Sequence, residues 1–281
     1  MVERSGAVSA PIVSYGLSMG IDQSRAGYRS SRDRQFRLLH LIREKGELSP
    51  MQLPAVLQVS METVRRDLRA LESQGLVRRT YGRVVPVESG AFETSLAMRS
   101  QINPEEKLRL AAAVVERLGE SQLVYLDEGY TEQLIAQRLP DHLRLTIVTP
   151  ALPIAMMLAS RPNIQVIILG GRVRGNTLGV VDTLAVDMLR QLNFDLAIIG
   201  ANGVSIEHGM TTPDPAVAAV KAAAIERSTR RIFVGAHHKF GNRTFVSFAQ
   251  LSDFELIITG QELSSTWATR LIAAGAQLLR V

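Results

Sequence analysis

The chain contains no cysteine in its 281 residues. That excludes disulfides and thiolate metal sites, and it fits a reducing cytoplasm. No apolar run approaches the roughly 20 residues needed to span a bilayer, so no membrane partner is expected. The weakly apolar stretch near residues 7–17 is broken by Ser, Pro and Gly, which argues against a signal peptide. Residues 1–30, rich in Ser, Gly and Ala, read instead as a disordered tail, and Met19 stands as a second candidate start. The paired His237 and His238 have no carboxylate beside them in sequence, which is a poor metal signal. No metal or cofactor is expected.

What is present is unevenly placed. The formal charge is +5, and residues 31–86 hold eleven Arg/Lys against six Asp/Glu. The basic excess therefore sits on a small N-terminal unit, where a polyanion would dock. The length suggests two domains. The expected division is a DNA-binding unit over 31–86, a linker over 87–91, and a larger unit over 92–281.

Within the basic unit, Ser60 is a good helix N-cap. Met61, Val64, Leu68 and Leu71 follow at helical spacing and predict a core-facing stripe. The opposite stripe carries Glu62, Arg65, Arg66 and Arg69, with Thr63 near the start. Guanidinium groups can fork onto guanine edges or clamp phosphates. Met61, Glu62, Thr63, Arg65 and Arg66 are the expected groove residues, with Ser60 and Arg69 at phosphates. The bland reading is a solvated helix in which Glu62 pairs with Arg66, worth only about 0.2–0.5 kcal/mol.

The flanks favour the DNA reading. Apolar Phe36, Leu38, Leu39, Leu41 and Ile42 predict a first helix from about Arg32 to Lys45, ended by Gly46. Ser49-Pro50-Met51-Gln52 reads as cap, N1 proline and capping-box glutamine of a short second helix. Pro54 then falls inside that helix, where it would cost a hydrogen bond. Gly75 reads as the C-cap of the arginine helix. Short strands around Tyr81-Gly82 complete a basic hairpin, with Arg78, Arg79, Tyr81 and Arg83 along phosphates. The whole predicts a winged helix-turn-helix, an α+β fold.

Beyond residue 92, apolar runs at 123–126, 145–148, 166–169, 196–199, 232–234 and 256–258 alternate with helical stretches near 104–118, 131–139, 151–160, 181–192, 214–229 and 264–274. The pattern predicts an α/β domain whose largely parallel sheet is covered by helices. Ligands of such sheets bind beyond the carboxyl ends of the strands. Those ends supply Asp127, Glu128, Gly129, Tyr130, Thr131, Thr149, Gly170, Gly171, Arg172, Asn202, His237 and Lys239. Asp214 and Lys221 join the candidates from the helix near 214–229. Glycine turns and helix starts make anion sites, which suggests a phosphorylated small molecule. Taken singly, the glycines are ordinary turns, the histidines surface residues, and Lys221 a solvated lysine.

These residues resemble the DeoR family of bacterial transcription regulators from about Arg34 onward. The family's recognition pattern stands here as Ser60, Thr63, Val64, Arg65, Arg66, Asp67 and Leu68. Further landmarks are Phe92, Arg99, Glu106-Lys107, Leu126-Asp127, Gly200-Ala201-Asn202-Gly203, Thr211-Thr212-Pro213-Asp214, Lys221 and Lys239-Phe240-Gly241. The resemblance implies a sensor domain similar in fold to ribose-phosphate isomerases and CoA transferases, a sugar-phosphate effector, and assembly as dimers or tetramers. This chain departs from the family pattern at Tyr130, Pro150, Ala236, His238 and, in the wing, Tyr81-Gly82-Arg83. Tyr130 would narrow a phosphate nest, and Pro150 would remove an amide donor from it.

The expected function is a ligand-released repressor of carbohydrate-metabolism genes acting on double-stranded operator DNA. One alternative is a constitutive DNA-binding protein whose large domain only oligomerises. A sugar-phosphate isomerase-type enzyme is the remoter alternative, because an acid–base pair such as Asp127 and Lys221 is available.

Overall fold

The computed structural model describes residues 31–45, 48–73, 76–80, 82–86, 93 and 96–281. The expected tail, the linker, Phe92, Tyr81 and the capping glycines Gly46 and Gly75 lie outside the described residues.

The N-terminal unit is three helices and a hairpin. α1 (Ser31–Lys45), α2 (Leu53–Leu57) and α3 (Met61–Ser73) enclose a core of Leu38, Leu39, Ile42, Leu53, Leu57, Val64, Leu68 and Leu71. The antiparallel strands β1 (Val77–Thr80) and β2 (Arg83–Pro86) form the wing. The wing is anchored by Leu48, which exchanges backbone hydrogen bonds of 2.9 and 2.8 Å with Val84. The expected second helix is split. Pro50–Gln52 is a 3₁₀ turn, and α2 starts at Leu53, so Pro54 occupies the first turn of a new helix. A proline there removes an N–H that no helical carbonyl would have used, which resolves its apparent misfit. Ser49 makes no side-chain cap.

The larger unit opens with α4 (Leu96–Arg99) and α5 (Pro104–Val115). It continues through β3 (Leu123–Leu126), α6 (Tyr130–Arg138), β4 (Leu145–Thr149), α7 (Leu152–Leu158) and β5 (Ile164–Ile168). A small hairpin, β6 (Arg172–Val173) and β7 (Val180–Val181), precedes α8 (Thr183–Arg190) and β8 (Phe194–Ile199). Then come β9 (Gly203–Ser205), β10 (Gly209–Thr212), α9 (Pro215–Glu226), β11 (Ser228–Val234) and β12 (Val246–Ala249). β13 (Leu256–Thr259), α10 (Ser265–Ala273) and β14 (Leu278–Arg280) close the chain.

Seven strands form one parallel sheet in the order β14-β13-β11-β8-β3-β4-β5. Both faces are covered, one around Tyr125, Phe194, Phe233 and Phe254 and the other around Leu110, Ile135, Ile147 and Ile198. Two-sided burial is why these strands read as continuous apolar runs. β9, β10 and β12 make a separate antiparallel sheet that the apolar runs do not announce. The strand order reverses between β3 and β8. In open α/β sheets that reversal opens a crevice at the carboxyl ends of the two strands.

Candidate DNA-binding face and ligand cleft

α3 is capped as expected, with the Ser60 hydroxyl accepting from the Thr63 N–H at 3.2 Å. Val64, Leu68 and Leu71 are buried, whereas Met61 is half-exposed at the helix start. Glu62, Arg65, Arg66 and Arg69 all stand exposed on the other side. Glu62 reaches Arg65 at 3.8 Å and Arg69 at 3.7 Å, where the bland reading paired it with Arg66. In the wing, Arg79 turns back to Glu72 of α3 at 3.1 Å, and Arg83 is exposed. For Arg78 the structure describes the strand position alone.

Asp67 is the residue that composition and stripe analysis passed over. It is fully buried and accepts from Arg34 Nε at 2.5 Å, Arg34 Nη2 at 3.1 Å and Gln35 Nε2 at 3.2 Å. A buried carboxylate needs such partners, and these lock α3 against α1. The sequence signal was an acid on the apolar side of the helix, at helical spacing from Val64 and Leu71.

In the larger unit a cleft of about 80 Å³ lies at the β3–β8 crevice, lined by Arg99, Lys107, Glu128 to Glu132, Gly200 to Asn202, Lys221, His238 and Lys239. Gly129, at φ 153°, turns the chain from β3 into α6. A Cβ there would lie 2.0 Å from the Glu132 carboxylate, and one on Gly200 2.5 Å from it. Two glycines thus make room for a buried acid at the cleft floor. Below it, Lys221 of α9 contacts Asp127, which also accepts from the Gly200 N–H at 3.0 Å. Lys221 is 3% exposed and is no solvated lysine.

Three further cations face the cleft. Lys239 donates to the Ala201 carbonyl at 2.5 Å, and Lys107 donates to the Arg99 carbonyl at 2.5 Å while sitting 5.7 Å above the Tyr130 ring. Burial, with Lys239 and Arg99 close by, lowers the Lys107 pKa to about 7. Burial likewise lowers Lys239 to about 8. Burial raises Glu132, and Asp127 adds to that rise; Glu128 is raised chiefly by burial as well. Burial and like-charged neighbours disfavour the charged forms of these groups, a cost for the lysines that a bound anion would offset.

Of the candidates named from sequence, Glu128, Gly129, Tyr130, Thr131, Asn202, Lys221 and Lys239 line this cleft, and Asp127 lies directly beneath. The others lie apart from the lining. Thr149 is buried at the end of β4 and accepts from the Ala151 N–H at 3.1 Å. Gly170, Gly171 and Arg172 follow β5, with Arg172 paired to Asp182 at 2.7 Å. Asp214 caps α9 and meets Arg174 at 3.1 Å. His237 turns to Glu106, whose carboxylate is 2.8 Å from its Nδ1. The reason is strand order: one common rim was inferred, but β4 and β5 lie beyond β3, away from the reversal. Pro150 is similarly remote and accepts from the Val180 N–H, so it removes no donor from the cleft.

Sequence reasoning omitted Arg99, Lys107, Glu132 and His238 as ligand candidates. Arg99 and Lys107 come from outside the strand ends, Glu132 lies one residue beyond the segment considered, and His238 sits between two named candidates. Asn103, which precedes α5, makes no side-chain cap, and its amide is engaged with His238 Nδ1 at 2.9 Å. Glu106, His237 and Glu262 could together hold a metal ion. Their atoms already have partners: Glu106 accepts from the His237 and Gly260 amides, and Glu262 meets Arg109 at 2.6 Å.

A family model described as the DeoR-like helix-turn-helix domain matches residues 34–89, and the DeoR C terminal sensor domain matches residues 102–261. The chain belongs to the DeoR family. This DeoR-family chain is 32% identical to the HTH-type transcriptional regulator GlpR of Haloferax volcanii, over 88% of its own length and 96% of the relative's. It is 32% identical to the transcriptional repressor AccR of Agrobacterium fabrum, over 83% and 90%. The glycerol-3-phosphate regulon repressor of Escherichia coli is 29% identical, over 79% and 88%. Among solved structures, ribose 5-phosphate isomerase A of Methanocaldococcus jannaschii aligns over 49% of this chain and 55% of its own, at 14% identity and TM-score 0.37. That likeness is too remote to inform the site. The DeoR-family chain is a DNA-binding transcriptional regulator rather than an enzyme. No helix among its described residues is long and apolar enough to cross a membrane.

Proposed function

We propose that this regulator is a cytoplasmic repressor that holds operator DNA as a homo-oligomer and releases it when a small phosphorylated sugar enters the β3–β8 cleft. The observation that carries the effector reading is the convergence of Arg99, Lys107, Lys221 and Lys239 on one crevice. The start of α6 opens onto the same space, and helix N-termini favour anions. Glu128, Glu132 and Asn202 supply partners for sugar hydroxyls. The cleft admits roughly five to eight water-sized groups, which suits a phosphate on a short polyol. The repressor reading is supported by the exposed arginine face of α3 and by the relatives named as repressors. On this reading Met61, Glu62, Thr63, Arg65 and Arg66 enter the major groove, while Ser60, Arg69, Arg78, Arg79, Tyr81 and Arg83 meet phosphates.

A thermal-shift panel of three- to six-carbon sugar phosphates tests the effector reading. A ligand present at 100 times its Kd adds about 2.7 kcal/mol of stability. A flat response across the panel would instead favour a constitutive DNA-binding protein. Gel-shift titration against operator and random DNA at physiological salt tests the other half. Equal affinity for both would end the repressor reading.

A further inference from the structure

Glu93 follows directly after the 87–92 stretch that joins the wing to the larger unit. Its side chain is 4% exposed and meets two arginines, Arg99 at 2.6 Å and Arg174 in direct contact. Arg174 is itself shared: it donates to Glu128 and Asp214, each at 3.1 Å. Three carboxylates, Glu93, Glu128 and Asp214, therefore rest on two guanidinium groups. Arg99 is the last residue of α4, which is only four residues long and too short to hold its shape alone. Its Leu96 N–H donates to the Asn176 carbonyl at 2.9 Å, and its Arg99 carbonyl is held by Lys107 at 2.5 Å.

The cleft and this strap use the same cations. Arg99 and Lys107 line the cleft, and both tether α4. Glu128 lines the cleft as well, and it shares Arg174 with Glu93. We propose that Glu93 and α4 form a relay in which an anion in the cleft draws Arg99 and Lys107 off the strap and so loosens the chain leading to the DNA-binding unit. With Arg99 drawn away, three carboxylates crowd onto Arg174 alone, and Glu93 loses its seat. The relay rests on the reading that the cleft binds a phosphorylated effector. An effector shifts the DNA-binding equilibrium only through a difference in affinity between the two strap states, and that coupling is reciprocal.

The test uses the full-length protein, sn-glycerol 3-phosphate and inorganic phosphate as probes, and DNA selected from a random pool by the protein itself. Calorimetry first measures probe binding. Absence of binding by both probes overturns the effector reading and the relay together. Where a probe binds, hydrogen exchange of the wild-type Leu96 and Ser100 amides should accelerate at least tenfold at saturation. Unchanged exchange with a bound probe overturns the relay alone. Glu93→Gln removes the carboxylate that holds Arg99 on the strap, although Glu93 is not itself part of the cleft lining. By reciprocity the probe should then bind at least threefold more tightly than to wild type, while probe-driven release of the DNA disappears. Release that persists undiminished in Glu93→Gln overturns the relay.

Discussion

On α3, Arg65 and Arg69 stand 58% and 62% exposed and reach Glu62 only at 3.8 and 3.7 Å. At the cleft floor, the Lys221 and Asp127 side chains are 4% and 1% exposed and in direct contact. The same residue chemistry is put to opposite use. Exposed, loosely paired arginines contribute little to folding and remain available to an external polyanion. Buried pairs have lost their water and cannot be broken cheaply, so they set a shape into which a ligand must fit. A regulator needs both: a face that reads DNA without being part of the core, and an interior whose charge balance a small anion can upset.

The contrast breaks most visibly at Lys221. Replacing it with alanine leaves Asp127 buried beside Glu128 and Glu132 without its cation. The expected loss is about 3–5 kcal/mol of folding stability, read from urea unfolding. A loss below about 1 kcal/mol would show that the pair is not the buried anchor described above. At the other pole, Arg65→Ala and Arg66→Ala should each weaken operator binding by about 1–3 kcal/mol where the arginine reads a base. Their unfolding free energies should stay within about 0.5 kcal/mol of wild type. A variant that unfolds early but binds operator normally would reverse the assignment of these arginines.

Legibility in the sequence followed the same divide. α3 was readable because an amphipathic helix writes its burial into a 3.6-residue period, and Arg65 and Arg66 fall on its polar side. The sheet was readable because strands covered on both faces form uninterrupted apolar runs. The cleft was only half readable. Glu128 to Thr131 and Asn202 follow β3 and β8, the strands that flank the reversal, but periodicity does not encode strand order. Thr149, Gly170, Gly171 and Arg172 were therefore grouped with them although β4 and β5 lie farther along the sheet. Arg99 and Lys107 reach the cleft from helices distant in sequence from every strand end. Pro54 looked misplaced only because one interrupted helix was read as continuous.

A smaller effect sharpens the contrast through pH. Lys107, lowered to about 7 by burial and by Lys239 and Arg99, regains its proton when an anion arrives. Glu132 and Glu106 oppose the lowering, and Tyr130 faces the ammonium. Above about pH 6 a sugar phosphate is already dianionic, so the lysine's deprotonation governs the trend. Affinity for sn-glycerol 3-phosphate should fall about fivefold between pH 7 and 8, and Lys107→Met should flatten that slope. The sign for folding is opposite. Because the folded-state pKa lies below that of the free lysine, the unfolded chain binds more protons between about pH 7 and 10.5. Lys107 therefore favours folding increasingly as pH rises through that window, and this contribution is lost as pH falls through 7. Affinity that rises with pH would remove Lys107 from the binding step.

The smallest effect lies back on α3, at Glu62. Its distances to Arg65 and Arg69 exceed those of a tight ion pair, and all three groups are more than half exposed. Glu62→Gln should change stability by no more than about 0.2–0.5 kcal/mol. Even that difference should fade as salt rises, since exposed pairs are screened within a Debye length of about 10 Å at 0.1 M. A larger, salt-resistant loss would mean that Glu62 holds its arginines in place as firmly as Asp127 holds Lys221. In that case the α3 face would be a rigid, pre-set reader, and the difference between the two charged regions would be one of location and not of strength.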